Sequence, residues 1–476
     1  MNLLVGVAVV ALLMLLGSLA AAWMGLGRSD ADVSPSAAVP AHEPNGDSAR
    51  SASDRPPVLV RYQMWDASQL PAYRQCASAF MERHPHIRIR IQQVGWGDYW
   101  SGLSTGFIAG AAPDVFVNHL MQAPQYMRHG VLQDLGAWTD HGGPALGGRD
   151  PVISEDTPAA LRRAWQHKGR AVGLPKDWDT VALVVNLDHA RRQGVSLDEL
   201  RDMTWNPQDG GSFERIIKRL TIDAQGRNAL DPDFDRRAVV VHGFQSPGPG
   251  GLAGQTEWSW LAAANRFELQ AEPGGAIRFD DPQLAQAVQW LADLSERGLS
   301  ASAMTVRSLG AGALFRSGRA AMMPDGSWMS TYYGTQGTFA STWIPVPRGP
   351  SGRRASMLNG TADSMWAGSK VKHEAWQWMR FLSSVECQQI VARSGVVFPA
   401  RLSLADLTLQ AHRARGIDST AFVKAAQEQP FLMPVVDDAA RIDDIVKSEL
   451  ESAHLGRQTA AQALVRIDDR LSRLRR

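Results

Sequence analysis

Tryptophan residues next to acidic residues are the most distinctive chemical groups in this sequence. The chain of 476 residues contains 16 Trp, and several of them fall beside turn residues rather than inside apolar runs. An indole face buries the C–H side of a polyol ring, while nearby carboxylates and amides hydrogen-bond its hydroxyls. The sequence therefore predicts a cleft for a hydroxyl-rich ring, although any single Trp taken alone is more often a packing residue.

Such side chains follow three short apolar runs near the start of the folded region. The runs are 58–62, 87–94 and 114–117. In α/β sheets, ligand-binding groups lie at the carboxyl ends of the strands. A metal site at the histidine that follows the third run is not expected, because no second His or Cys lies at metal-ligand spacing. The residues that we predict to line a common cleft are Trp65, Asp66, Trp96, Asn118 and His119.

Composition excludes several functional classes. The 49 Lys and Arg residues nearly balance the 48 Asp and Glu residues, and the formal charge of +1 gives no strong field for nucleic acid or anionic lipid. Only Cys76 and Cys387 occur, which excludes a cysteine zinc site or an iron–sulfur cluster. Their spacing leaves open whether they pair. No cofactor is expected.

The N-terminal segment predicts export. Residues 3–24 form an almost unbroken apolar run, and a Ser/Ala/Pro/Gly-rich stretch follows it. The run is long enough to span a bilayer, but Leu19-Ala20-Ala21-Ala22 also offers the small residues of a signal peptidase site. Residues 1–27 are thus a cleaved signal peptide or a retained membrane anchor, and residues 28–57 are a disordered linker. Both alternatives place the folded part outside the cytoplasmic membrane.

From residue 58 onward, short apolar strands alternate with longer amphipathic segments. Strand 58–62, helix 69–83 and strand 87–94 stand in sequence, which is typical of a parallel α/β sheet. The chain is too long for a single core, so two lobes are expected. Ser246–Gly254 is the largest internal loop and is expected at a surface or a cleft mouth. The tail 437–476 predicts two helices broken near Leu455-Gly456.

Several short motifs, in order and at compatible distances, resemble the extracellular solute-binding proteins that serve sugar importers, the maltose-binding type. The resemblance covers nearly all of Val58–Arg476. The motifs are Trp65-Asp66, Pro85-His86-Ile87, Ala109-Gly110-Ala111-Ala112-Pro113-Asp114-Val115, Gly130-Val131-Leu132-Gln133-Asp134-Leu135, Gly173-Leu174-Pro175 with Asn186, Arg319-Ala320-Ala321-Met322, Gly326-Ser327-Trp328 and Gly456-Arg457-Gln458-Thr459.

The resemblance implies a two-lobed periplasmic binding protein fold, with interleaved lobes joined by crossing strands. Lobe 1 would be 58–180 plus 361–401, and lobe 2 would be 181–360 plus 402–476. The implied function is capture of a sugar in the cleft and its delivery to the permease subunits of an ABC importer. No catalysis is expected, and neither is a nucleic-acid partner. We expect a monomer in the periplasm or outside the cell.

The resemblance also implies further ligand contacts. It places a contacting side chain seven residues before Asn186, which is Asp179 on the first crossing strand beside Trp178. Aromatic side chains of the second lobe would stack on the ligand, and Trp328 is the first choice among them. The full set that the resemblance adds is Trp178, Asp179, Trp258, Trp328, Asn359, Gly360 and Arg401.

Alternative functions stay open at this point. A secreted carbohydrate-active enzyme would need two carboxylates about 5–10 Å apart on opposite sides of the bond, and Asp66 with Asp179 are the candidates. A sensor of the same fold, tethered by residues 3–24, is a second alternative. Within the transport function, the ligand could also be a sugar phosphate, for which Arg401 is one candidate contact, or a polyamine held by cleft carboxylates.

Overall fold

The computed structural model describes residues 56–139, 155–167, 169–272, 274–335, 338–428 and 430–474. The predicted signal or anchor, and the predicted linker up to residue 55, lie outside the described residues. Within the described ranges, no helix is both long and apolar enough to cross a membrane.

The elements alternate between strands and helices along most of the chain. In chain order the described strands are β1 Val58–Met64, β2 Ile87–Gln93, β3 Val115–Asn118, β4 Gln166–His167, β5 Arg170–Ala171, β6 Leu174–Pro175, β7 Asp177–Trp178, β8 Val181–Asn186, β9 Ile222–Asp223, β10 Val239–Val241, β11 Met322–Gly326, β12 Ser341–Ile344, β13 Met357–Leu358, β14 Ala362–Met365, β15 Phe398–Pro399 and β16 Phe431–Leu432.

The described α-helices are α1 Leu70–Arg83, α2 Trp96–Ile108, α3 Ala123–Arg128, α4 Gly136–Thr139, α5 Ala159–Ala164, α6 Leu187–Arg192, α7 Leu197–Arg201, α8 Gly211–Leu220, α9 Ser259–Ala264, α10 Pro282–Glu296, α11 Ala303–Leu309, α12 Ala311–Arg316, α13 Ser330–Thr335, α14 Lys372–Leu382, α15 Val385–Ser394, α16 Ala405–Arg413, α17 Thr420–Gln427, α18 Ala439–His454 and α19 Ala460–Leu474. Short 3₁₀ turns cover Ser327–Met329 and Leu402–Leu404.

A five-stranded sheet in the order β2-β1-β3-β14-β6 forms the first lobe. Strand β1 pairs in parallel with both β2 and β3, as the alternation of strands and helices predicts. Strand β14 returns late in the chain and pairs antiparallel with β3 and β6. Because β1, β2 and β3 run in the same direction, their carboxyl ends meet at one edge of the sheet, where the predicted ligand contacts lie.

A three-stranded antiparallel sheet in the order β11-β8-β12 forms the centre of the second lobe. All six residues of the central strand β8 are buried. Helices α8, α10, α18 and α19 contribute to one hydrophobic core beside this sheet, and α12, α16 and α17 contribute to another. A strand that is covered on both faces has a continuous apolar sequence, and Val-Ala-Leu-Val-Val fits this rule.

Two extended segments run between the sheets. The first contains β6 and β7 and leads into β8, and the second leads from β13 into β14. The segments pair with each other through backbone hydrogen bonds between Asp179 and Asn359 and from Lys176 to Thr361. They form the crossing region, and the structure confirms the two-lobed α/β architecture expected from the sequence.

The two cysteines form a disulfide that joins α1 to α15, with Cα atoms of Cys76 and Cys387 separated by 5.2 Å. Ser384 begins α15 and accepts a hydrogen bond from the Cys387 amide, so the helix start is fixed directly beside the bridge. The bridge connects residues that are 311 positions apart in sequence. It therefore ties the late helices to the first lobe, which residue spacing alone left undecided.

Most predicted element boundaries agree with the structure to within a few residues. Helix α2 begins at Trp96, because Gly95 has an extended backbone that lets the chain turn directly into the helix. The tail forms two helices, α18 and α19, which are separated near Gly456 as predicted.

Candidate functional site

A deep cleft of about 1180 Å³ lies between the two sheets. Its lining combines the carboxyl edge of the five-stranded sheet, both crossing segments, the loop 245–257, the turn after β11 and one face of α18. The volume lies slightly above the range of about 300–1,000 Å³ that is usual for small-molecule sites. The cleft can therefore enclose a ligand with more than one ring.

An indole cluster forms the wall on the side of the first lobe. Trp65 lies directly after β1, and its ring centroid is 5.1 Å from that of Trp96 and 5.3 Å from that of Trp100. The Trp96 and Trp100 rings are nearly perpendicular, at 86°. Mutual edge-to-face packing of this kind fixes the rings and leaves parts of their surfaces free. Trp96 is 51% exposed and is the most accessible of the three.

His119 follows β3 and completes this wall, with its ring centroid 5.7 Å from that of Trp96. Its Nδ1 accepts a hydrogen bond from the Met121 amide at 3.2 Å, so the ring proton is on Nε2. The side-chain amide of Asn359 lies 3.2 Å from Nε2. We assign the amide oxygen of Asn359 to this contact, because that oxygen would otherwise be buried without a partner.

The protonation state of His119 follows from its surroundings. Burial lowers the pKa of the imidazole to about 4, and the nearby Asp177 carboxylate opposes this shift only in part. The ring is therefore neutral at pH 7 and acts as a hydrogen-bonding and packing group.

A buried network of charged groups forms the floor of the cleft. The Lys176 amine donates to the Gln69 side chain at 2.5 Å, lies 3.4 Å from the Asp177 carboxylate and lies 4.2 Å from the centroid of the Tyr73 ring. Burial lowers the lysine pKa, but Tyr73 and Asp177 outweigh it and raise the pKa above its ordinary value. The amine is therefore charged.

Asp177 joins the two crossing segments, because its Oδ1 accepts hydrogen bonds from the Thr361 amide at 2.8 Å and from the Thr361 hydroxyl at 2.7 Å. A second carboxyl, that of Asp363, accepts a hydrogen bond from the Tyr62 hydroxyl at 2.7 Å. Burial raises the pKa of Asp363 to about 7, although Lys176 opposes the shift. These bonds hold the crossing segments in register beneath the ligand space.

Asp179 lies where the floor meets the second wall. Its Oδ1 accepts a hydrogen bond from the Gln255 side chain at 2.5 Å, which connects the first crossing segment to the loop 245–257. Burial, followed by repulsion from Asp177, raises the pKa of Asp179 well above its ordinary value. A carboxyl in this position can accept or donate a hydrogen bond to a ligand, depending on its proton.

The wall on the side of the second lobe consists mainly of polar groups. The glycine-rich loop 245–257 contributes backbone groups, and helix α18 supports it, because the Leu252 amide donates to Asp443 Oδ1 at 2.9 Å. The carboxyl of Glu257 points to the same space, and burial raises its pKa. The prediction that Ser246–Gly254 lies at a cleft is confirmed.

Trp328 supplies the aromatic surface of this wall. Strand β11 ends at Gly326, and the 3₁₀ turn that follows folds the Trp328 ring back over that glycine, so that any side chain at position 326 would collide with the ring. Tyr332 lies close by, and its hydroxyl accepts a hydrogen bond from Arg316 at 2.7 Å. Both rings line the cleft.

Residues 75–416 match the family described as bacterial extracellular solute-binding proteins. The chain belongs to this family. Proteins of this family act outside the cytoplasm. The observed architecture of two lobes with a central cleft agrees with membership of the family.

Three relatives illustrate the similarity. A Brucella abortus protein, named only as a binding protein, is 21% identical over 86% of this chain and 90% of its own length. An ABC substrate-binding protein of Listeria monocytogenes, solved in complex with cycloalternan, has a TM-score of 0.73 at 21% identity and covers 88% of this chain and 99% of its own. The maltose-bound MalE3 of T. maritima has a TM-score of 0.68 at 18% identity, with 88% and 100% covered.

Of the residues predicted to line the cleft of this solute-binding protein, most do lie on its surface, and a ligand contact remains a prediction for each. Those that the structure brings together are Trp65, Asp66, Trp96, His119, Trp178, Asp179, Trp328 and Asn359. Asp66 is also used locally, because its oxygens accept hydrogen bonds from Ser68 and Gln69.

Four predicted contacts lie outside the described cleft lining, namely Asn118, Trp258, Gly360 and Arg401. Asn118 is fully buried, and its amide donates to Ser364, which fastens β3 to β14. Gly360 lies so close to the Asp177 carbonyl that a side chain would collide with it, so it serves the pairing of the crossing segments. Arg401 is buried and donates through Nε to the Ser383 carbonyl at 3.0 Å, and it does not belong to the described lining of the cleft.

Among the predicted tryptophans, Trp258 requires correction and Trp178 is almost fully buried. Trp258 fills the core of the second lobe, 1% exposed and packed between Phe267 and Phe279, because Gly250 and Gly254 leave room for its ring. Its neighbour Glu257 faces the cleft instead. Trp178 touches the cleft floor, but it is also 1% exposed and stacks on Phe398 at 4.6 Å, so its face is not free for a ligand.

Several cleft residues were not predicted. Trp100 follows Trp96 by four residues, a helical spacing that places both on one face and that was visible in the sequence. No local signal marks the others, because they come from distant segments. They are Gln255, Tyr332, Asp443, Lys447 and Glu451.

Proposed function

We propose that this protein is the sugar-binding component of an ABC importer and that it captures its ligand between the lobes. The observation that carries the proposal is the cleft itself, with fixed indoles on one wall and hydrogen-bonding side chains on the other. A sugar ring has an apolar face and a polar rim, and this arrangement meets both. The bound sugars named for the Listeria and T. maritima structures support the same ligand class.

The binding cycle needs no chemical step. Closure of the lobes would bring the loop 245–257 and Trp328 onto a ligand that rests against Trp65 and Trp96. The closed form would then be the shape that the permease subunits of the importer recognise, because a ligand shifts the population toward the state it binds better. A monomer outside the cytoplasmic membrane, free or held there by residues 3–24, is sufficient for this cycle, and no nucleic acid takes part.

The environment of the acidic residues argues against a glycosidase. Asp66 is occupied by the turn that it closes with Ser68 and Gln69, and Asp179 is occupied in part by Gln255. A glycosidase instead presents two carboxyls to opposite sides of one bond. We propose that the protein releases its ligand unchanged, and incubation with oligosaccharides should then produce no new reducing ends.

A thermal-shift screen tests the proposed function. The panel contains mono-, di- and oligosaccharides, sugar phosphates and polyamines, each added to the folded chain. A ligand at 100 times its dissociation constant should add about 2.7 kcal/mol to the free energy of unfolding. Stabilisation by at least one sugar is the expected result. Stabilisation by none of the panel, or by a polyamine alone, would contradict the proposal.

A further inference from the structure

Carboxyl side chains outnumber cationic ones on the described lining of the cleft. The acidic members are Asp66, Asp177, Asp179, Glu257, Asp443, Asp444 and Glu451. The cationic members are Arg307 and Lys447. The two histidines of the lining do not add charge, because burial lowers the pKa of both His119 and His454.

Both cations of the lining are already paired. The Lys447 amine lies 2.5 Å from Asp443 Oδ2, and Arg307 lies 3.1 Å from Glu451 Oε1. These pairs belong to the second-lobe wall. No unpaired cation of the described lining remains to bind an anionic ligand. The two paired cations also do not neutralise the carboxyl groups of the floor.

The floor itself is short of positive charge. Two buried carboxyls, those of Asp177 and Asp363, share the single amine of Lys176, which lies 3.4 Å from Asp177, and the half-buried Asp179 is repelled by Asp177. Asp179 forms no salt bridge, and among the described residues only Gln255 donates to it, through Oδ1. Asp179 also belongs to the lining of the cleft. Burial and Asp177 raise the pKa of Asp179, and a cation beside this carboxyl would favour its ionised form again.

We infer that the cleft takes a sugar that carries an ammonium group, an amino sugar, and that the Asp179 carboxylate accepts that group. This inference rests on the proposed function and narrows its ligand class. The ammonium supplies the counter-charge that the floor lacks, and a charge-assisted hydrogen bond in a water-poor site is stronger than one between neutral groups. The indoles of the first wall suit the same ligand, because aromatic faces attract cations.

Matched ligands test the inference by isothermal titration calorimetry on the folded chain. Glucosamine, galactosamine and mannosamine are each compared at pH 6.5 with the parent hexose and with the N-acetylated form, and chitosan oligosaccharides are compared with chitin oligosaccharides. The amine should bind at least about tenfold more tightly than both neutral partners. Equal or tighter binding of the neutral sugars overturns the inference and leaves sugar binding intact. Binding of none of these ligands also overturns the inference, and the wider thermal-shift panel then decides the proposed function separately. Tighter binding of spermidine than of every amine sugar also overturns the inference.

A charge-removing variant identifies the acceptor. Asp179→Asn keeps the size and the contact with Gln255 but removes the charge. It should reduce the preference for the amine over the neutral sugar by about tenfold. Asp444→Asn, which alters an exposed carboxyl of the same lining, is the matched control and should keep the preference. An unchanged preference in Asp179→Asn overturns the assignment, and the wild-type comparison remains decisive if that variant does not fold.

Discussion

The two walls of the cleft use different side chains. The first-lobe wall consists of Trp65, Trp96 and Trp100 packed edge to face, with a neutral His119 behind them. The second-lobe wall consists of a glycine-rich loop, Trp328 and the charged face of α18. A fixed aromatic surface can hold a ring before closure, and polar groups gain most once closure removes water. From this difference we expect the ligand to bind first to the first lobe, and the polar groups of the second lobe to determine which ligand is retained after closure.

The lobes also differ in covalent support. The disulfide lies within the first lobe, and no other cysteine exists in the chain. The rigid wall therefore belongs to the lobe that is cross-linked. The second lobe depends on packing around β8 and on helix α18 for its shape.

The largest expected effect concerns this cross-link. A Cys76→Ser, Cys387→Ser double variant should lose about 2–5 kcal/mol of unfolding free energy, because a bridge over so many residues restricts the unfolded chain. The loss should appear in the first lobe, and urea unfolding followed by tryptophan fluorescence should separate an early transition from a late one. Reduced wild-type protein is the control and should match the variant. An unchanged urea midpoint of unfolding in the double variant would show that the disulfide does not make the first lobe more stable than the second.

Tryptophan removal compares the two walls directly. Trp96→Ala and Trp328→Ala should each weaken sugar binding by about 1–3 kcal/mol, because each removes an accessible aromatic surface. The measurement is calorimetric affinity together with ligand-induced fluorescence change, and Trp328→Ala should abolish most of that change. Ile108→Ala, at the far end of α2 and 90% exposed, is the control for a surface truncation. Affinity that is unchanged in Trp328→Ala would assign that ring to packing.

The smallest effect is a difference in pH dependence between the walls. His119 has a pKa lowered to about 4 by burial, so stability from its neutral form is present above its ordinary pKa near 6.5 and falls toward pH 4. Asp325, which precedes the Trp328 turn, has a pKa raised to about 7 by burial, although the Gly326 amide and the Tyr333 hydroxyl oppose the shift. Stability from its protonated form is present below its ordinary pKa and is lost as the pH rises to about 7.

Urea unfolding of His119→Gln and Asp325→Asn between pH 4.5 and 7.5 checks this difference. Relative to wild type, His119→Gln should gain stability at the acid end, and Asp325→Asn should gain it at the neutral end. Each slope is at most about 1.4 kcal/mol per pH unit, since one proton is exchanged. Parallel pH profiles for wild type and both variants would show that neither wall depends on its titratable group.

Sequence patterns alone were sufficient to predict many of the strands and helices and the residues of the first-lobe wall. The alternation of apolar and polar residues predicted β1, α1, β2 and the two tail helices, because burial on one face leaves a period of 2 or 3.6 in the sequence. Parallel strands present their carboxyl ends at one edge, so Trp65, Trp96 and His119 could be placed together before any contact was known. The order of short motifs indicated the family.

Only the tertiary structure decided which side chains of the distant segments face the ligand. Glu257 and Trp258 are adjacent, yet one faces the cleft and the other fills a space left by two glycines in the core. The pairing of Cys76 with Cys387, the shared Lys176 and the contribution of α18 likewise depend on contacts between residues far apart in the chain. Local periodicity carries no information about such contacts, because they are fixed by how complete elements pack against each other.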